Sequence, residues 1–135
     1  MARSVFGIVV GAIAWTVGFW ILALLLARLW PDYAMQGRHW MKEGLFTLTP
    51  AMACCNLLLW VLAEIGAGWT AARSAPRREA AWVLAGLVGL YLAIVHLVFG
   101  WPRFPWWYNL GVVIPAVPAV LWGARLARSP HSASR

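Results

Sequence analysis

Charge is scarce in this chain of 135 residues: 11% are Asp, Glu, Lys or Arg, where a soluble domain carries about a quarter. Acidic residues are scarcer still, four against eleven basic ones. With 63% hydrophobic residues, a water-soluble globule is excluded, and the length allows one domain. Cysteine is confined to the adjacent pair Cys54 and Cys55. Neighbouring helical cysteines cannot readily meet bridge geometry, which excludes a disulfide scaffold. HExxH, paired CxxC, CxxCH and glycine-rich phosphate loops are all missing. Catalysis therefore has no supporting constellation, and neither a metal nor a cofactor is expected.

What the chain has in abundance is long apolar runs. Val5 to Ala27, Gly44 to Ala63, Ala80 to Pro102 and Phe104 to Ala124 hold no Asp, Glu, Lys or Arg. Each reaches the roughly 20 residues that a helix needs to cross about 30 Å of hydrocarbon. Runs without alternation exclude a barrel, so an all-α bundle of four transmembrane helices is predicted, at about 5–28, 45–71, 80–100 and 105–127. Residues 1–128 form a single membrane domain in this reading, and 129–135 a disordered tail. The first run is too long for a secretory signal and lacks a small-residue cleavage motif, so it is read as an uncleaved helix.

Four crossings put both termini on one side. Arg3, Arg73, Arg77, Arg78, Arg125, Arg128 and Arg135 then share that side, against Arg28, Arg38, Lys42 and Arg103 opposite. The positive-inside bias predicts N-in and C-in, within a multi-pass protein of the bacterial inner membrane. The net charge of +7 is assigned to anchoring on an anionic leaflet and not to nucleic acid, because the basic residues sit at helix ends.

Small residues mark expected helix contacts: Gly7, Gly11, Ala14 and Gly18 in helix 1, Ala85, Gly89 and Ala93 in helix 3, Ala119, Gly123 and Ala127 in helix 4. Pro50 in helix 2, with Pro115 and Pro118 in helix 4, predicts loosened turns and a kink near the middle of helix 4. A short internal echo closes helices 2 and 4: Gly68-Trp69-Thr70-Ala71-Ala72-Arg73 and Gly123-Ala124-Arg125-Leu126-Ala127-Arg128. These endings, with the entry Phe104-Pro105-Trp106-Trp107-Tyr108-Asn109, resemble a diffuse group of small four-helix bacterial membrane proteins with no assigned activity. The likeness implies fold and location, and transfers no catalytic residue.

Ionisable residues inside spans are functional candidates by default. Glu64 lies about 7–8 Å deeper than Trp69, and His96 about 21 Å beyond Trp82, so the two differ in depth by roughly 13 Å and should not pair. Glu64 is a candidate proton-coupling carboxylate, or else a structural charge answering Arg73 or another basic residue. His96 has no second intramembrane histidine with which to hold haem, and a neutral, hydrogen-bonded ring is expected. Asn56 is a further polar candidate within a span. Cys54 and Cys55 resemble the vicinal thiols of mercury-uptake membrane proteins but lack their further relay cysteines, and are read as small packing residues.

The outer face is rich in rings: Trp30, Tyr33 and Trp40 in the first loop, Trp101, Phe104, Trp106, Trp107 and Tyr108 in the second. Anchoring at the headgroup level explains most of them. The remainder, with Arg38, Lys42 or Arg103, offers a contact for lipid or a neighbouring protein. The first loop, Arg28 to Glu43, is the longest connection, with Trp40 and Met41 placing part of it flat on the bilayer, and its Asp32, His39 and Glu43 are the only external acid or metal candidates. The expected function is that of a non-enzymatic accessory or scaffold subunit of a membrane assembly, with the bilayer and another membrane protein or a second copy as partners. The alternative is a small homo-oligomeric transporter or channel using Glu64 and a kinked helix 4. Length and helix number resemble the small multidrug exporters, but helix 1 lacks that family's carboxylate.

Overall fold

The computed structural model describes residues 2–43, 49–75 and 78–128, with the side chains of 37 and 40–43 also outside the description. The side chains of Trp40, Lys42 and Glu43, the expected start of helix 2 at 45, Arg77 and the tail 129–135 therefore lie outside the described residues. Within them the chain is helical, with no strand: α1 (Ala2–Leu29), α2 (Pro31–Glu43), α3 (Pro50–Ser74), α4 (Glu79–Ala93) continued by a π-helical turn (Ile94–Phe99), and α5 (Trp106–Leu126). Four of these segments, α1, α3, α4 with its π turn, and α5, are long and apolar enough to cross a membrane. The 21 residues of the shortest rise about 31 Å, enough for the hydrocarbon layer.

Proline placement sets two helix starts. Pro50 stands at the first helical position of α3 and not in its interior, and the Thr49 side chain accepts a hydrogen bond from the Met52 amide at 3.3 Å. A proline there lacks only an amide hydrogen that would have had no helical partner. Pro31 likewise opens α2, so the connection expected as a loop is largely a helix. Pro115 and Pro118 lie inside α5, which runs as one helix through both. An irregular turn falls at Ile94–Phe99, where the Gly100 amide donates to the Val95 carbonyl at 2.8 Å.

Successive spans alternate in direction. Gly7 of α1 packs on Ala71 and Ala75 near the end of α3, while Gly89 of α4 packs on Val117 of α5. The α1 N-terminus, the α3 C-terminus, the start of α4 and the end of α5 therefore share one end of the bundle, which carries Arg3, Arg73, Arg78, Arg125 and Arg128. Arg28, Arg38 and Arg103 belong to the other end, where α2 lies.

The parallel helices α3 and α5 form the most extensive contact. A methyl added at Gly68 would overlap the Val120 carbonyl oxygen, and one added at Gly123 would overlap that of Ile65. The approach is reciprocal, and one constant shift along the chain relates both pairs, 65 to 120 and 68 to 123. The sequence echo is thus a packing element: two glycines admit the main chain of the facing helix, the device expected where apolar solvent supplies no drive for association.

The small-residue stripe of helix 1 needs one correction. Gly7 and Gly11 are buried against α3 and α4, but a methyl added at Gly18 meets nothing within 4 Å. Beyond Gly11 the α1–α3 gap is filled by rings: Trp15 lies 5.8 Å from Trp60, and Phe19 stacks on Trp60 at 3.9 Å. Aromatic spacers hold the helices too far apart for a glycine to matter. Outward faces carry large apolar side chains, including Trp20, Leu24 and Ile114, each more than 60% exposed. Such a surface suits lipid and not water.

Candidate functional site

Apart from Glu64, the buried polar side chains of the described spans, Asn56, His96 and Asn109, lie toward the α2 end of the bundle. Tyr33 of α2 donates its hydroxyl to Asn56 Oδ1 at 3.2 Å, and Asn56 Nδ2 donates to the Tyr108 hydroxyl oxygen at 2.9 Å. This chain of bonds ties α2, α3 and α5 together. Burial, with the Cys55 thiol adding to it, pushes the Tyr33 hydroxyl above its ordinary range, which keeps it a donor. A second set joins the π turn to α5: His96 Nδ1 lies 3.1 Å from Asn109 Oδ1, and Asn109 Nδ2 donates to the Phe104 carbonyl at 3.1 Å and to the Gly100 carbonyl at 3.4 Å. Asn109 thereby bonds two carbonyls of the turn between the last two spans, of which that of Gly100 also accepts from the Arg103 and Phe104 amides.

His96 is buried, its ring 6.1 Å from Trp60, 5.9 Å from Tyr108 and 6.4 Å from Phe104. The π turn that carries it is a feature found often beside functional groups. Two expectations for this region are overturned. Tyr33 and Tyr108 were placed among the rim residues for lipid or partner contact, yet both are buried at 8% and 3% exposure and bonded to Asn56. A tyrosine hydroxyl with a buried amide in reach is held inside more firmly than at a headgroup surface, because leaving would orphan the amide. Trp101, Arg103, Trp106 and Trp107 are exposed, and Trp30 and Phe104 half-buried. Asn109, fully buried, was missed as a site residue. Its signal was available, an amide side chain a few residues after a turn in an otherwise apolar run.

Glu64 stands apart, eight positions from Asn56 along α3, or about 12 Å of rise. It is fully buried, and neither carboxylate oxygen has a hydrogen-bond partner. The proposed answer from Arg73 is overturned: that guanidinium lies over the Trp69 ring, 5.2 Å from its centroid. About two and a half turns of α3 separate the two residues, and stacking on an interfacial ring keeps the arginine at the polar boundary. The indole nitrogens of Trp15 and Trp60 are also buried without partners, so two donors and one carboxylate are unsatisfied in this part of the bundle. Trp60 and Glu64 are one turn apart on α3.

Cys54 is exposed and Cys55 half-buried, so the two thiols do not converge on one side. Among the described residues no group of three or more His, Cys, Asp or Glu could hold a metal ion. No protein-family model, curated protein or solved structure matches the chain.

Proposed function

We propose that this four-span protein is a non-enzymatic accessory or scaffold subunit, inserted N-in and C-in in a bacterial inner membrane and bound to another membrane protein. One observation carries the reading. Of the apolar window of α1 only 6% is buried inside the bundle, against 28–39% for the other three spans. That helix is held along a seam of Gly7, Ile8, Gly11, Ala12, Trp15 and Phe19, and its outward face, with Ile13, Val17, Trp20 and Leu24 exposed, is open to lipid or to a second helix. The polar groups near α2 support the same conclusion, since they bond to one another and to the turn carbonyls instead of lining a path.

The test is native mass spectrometry of the protein taken from its own membrane in lipid nanodiscs. A stoichiometric second protein, lost when Leu24→Trp crowds the open face of α1, is the expected result. Recovery of monomer or of self-copies alone would overturn the reading.

Glu64 favours one alternative, a homo-oligomeric transporter. A fully buried carboxyl without a partner is costly in a membrane helix and marks ion or proton paths elsewhere. Loss of a transport phenotype in Glu64→Gln at normal protein level would support it.

A further inference from the structure

At the arginine end of the bundle α4 begins where α5 ends, since the two helices run antiparallel and pack together. Ala81 and Ala124 are buried at this junction, and side chains so short leave a cleft of about 360 Å³ between the helices. Arg78, Arg125 and Arg128 line it on the polar side, and Trp82 and Leu121 on the apolar side. No carboxylate is among its lining residues. The volume is far larger than a single ion needs and falls at the low end of the range for small-molecule sites, about 300–1,000 Å³.

The placement of the arginines calls for an anion. Arg125 lies in the last turn of α5, where a cation complements the helix dipole. Arg78 occupies the N-cap position of α4 and makes no side-chain capping bond, and Glu79 in the first turn supplies the negative charge that this helix end favours. The three arginines line one cleft, and guanidinium forks match phosphate oxygens. The apolar wall then distinguishes a lipid from a free ion. Trp82, on the cleft's apolar wall, is 60% exposed, so the cleft opens beside a surface suited to acyl chains.

We propose that this cleft binds one anionic phospholipid, its phosphate between Arg78, Arg125 and Arg128 and the start of an acyl chain along Trp82 and Leu121. The site does not depend on the accessory-subunit reading. Basic pockets between transmembrane helices are a recurrent solution for anionic headgroups.

The full chain, reconstituted in phosphatidylcholine nanodiscs containing phosphatidylglycerol, is partly delipidated and its retained lipid weighed by native mass spectrometry. One phosphatidylglycerol should remain in preference to phosphatidylcholine. The triple substitution R78Q/R125Q/R128Q should lower that preference by roughly a hundredfold, and the charge-matched R3Q/R38Q/R103Q should leave it unchanged. Leu121→Trp, which fills the cleft while keeping every arginine, should also lose the lipid. Equal retention of both lipids, unchanged retention in the R78Q/R125Q/R128Q or Leu121→Trp protein, or equal loss in the charge-matched protein would each overturn the proposal. Displacement of the lipid by inorganic phosphate would overturn it too, as it would reveal a site for the free anion.

Discussion

A single methyl on Gly68 should unseat the α3–α5 crossing. The added carbon would overlap the Val120 carbonyl oxygen and lie 2.7 Å from its carbon and 3.0 Å from its Cα, where carbon atoms pack at about 3.5–4.0 Å. Relief requires the helices to part by about 1 Å, and a gap of about 0.5–1 Å forfeits a quarter to a half of each contact's well depth. Overpacking costs about 1–3 kcal/mol where side chains can yield. Here the obstacle is main chain, so Gly68→Ala should destabilise by about 3 kcal/mol, even after the roughly 1 kcal/mol that alanine gains over glycine in a helix. Gly66, two positions earlier on the same helix, has nothing within 4 Å of the same methyl. Gly66→Ala should therefore be neutral or stabilising by up to about 1 kcal/mol. Because the separation forced at Gly68 also makes room at Gly123, the double variant Gly68→Ala/Gly123→Ala should cost less than the sum of the singles. Reversible unfolding in bicelles, followed by far-ultraviolet circular dichroism, measures the unsubstituted protein, the three single variants and the double variant. Equal stability of the Gly66→Ala and Gly68→Ala proteins, or strict additivity in the double variant, would refute the reasoning.

Asn109→Leu preserves volume but removes the partner of His96 and of the Phe104 carbonyl. A loss of about 1–3 kcal/mol is expected in the same unfolding assay, since interhelical hydrogen bonds in membranes average about 0.6 kcal/mol and the buried His96 ring loses its Asn109 partner. Tyr33→Phe should cost about 0.5–1.5 kcal/mol and speed amide exchange in α2, because it removes the tether from Tyr33 to Asn56. The Tyr33 value lies above the ordinary 10.0. The tether is therefore complete below that pH and is lost as pH rises through the raised value, an alkaline loss of α2 protection that Tyr33→Phe should abolish. Glu64→Leu should leave stability unchanged or raise it, since no partner is orphaned by its removal. A destabilisation above about 2 kcal/mol in unfolding titrations would instead reveal a partner for the carboxylate.

The legible part of this molecule was its relation to solvent. Uncharged runs of span length in the sequence become spans in the structure, because a backbone in hydrocarbon must bond within its own helix whatever its neighbours do. The start of α3 was less legible: its uncharged run begins at Gly44 and carries Pro50 inside it, whereas in the structure Pro50 is the first residue of the helix, because a proline fits the first turn and not the interior. Which side of a helix faces inward was not legible. In water an apolar stripe against a polar face reports the core, but here the core and the lipid are equally apolar, and the pattern vanishes.

For that reason Gly18 looked equivalent to Gly11, although only Gly11 meets a neighbouring helix. Tyr33 and Tyr108 looked like headgroup anchors until Asn56 was found between them, and Asn109 gained its role only when the π turn brought His96 beside it. Sequence alone determined that the chain forms four helices long and apolar enough to cross a membrane, since that property depends on local composition. Tertiary structure alone decided which polar groups meet, because hydrogen bonds between residues as distant as Asn56 and Tyr108 depend on helix rotation, and in an apolar solvent only close packing sets it.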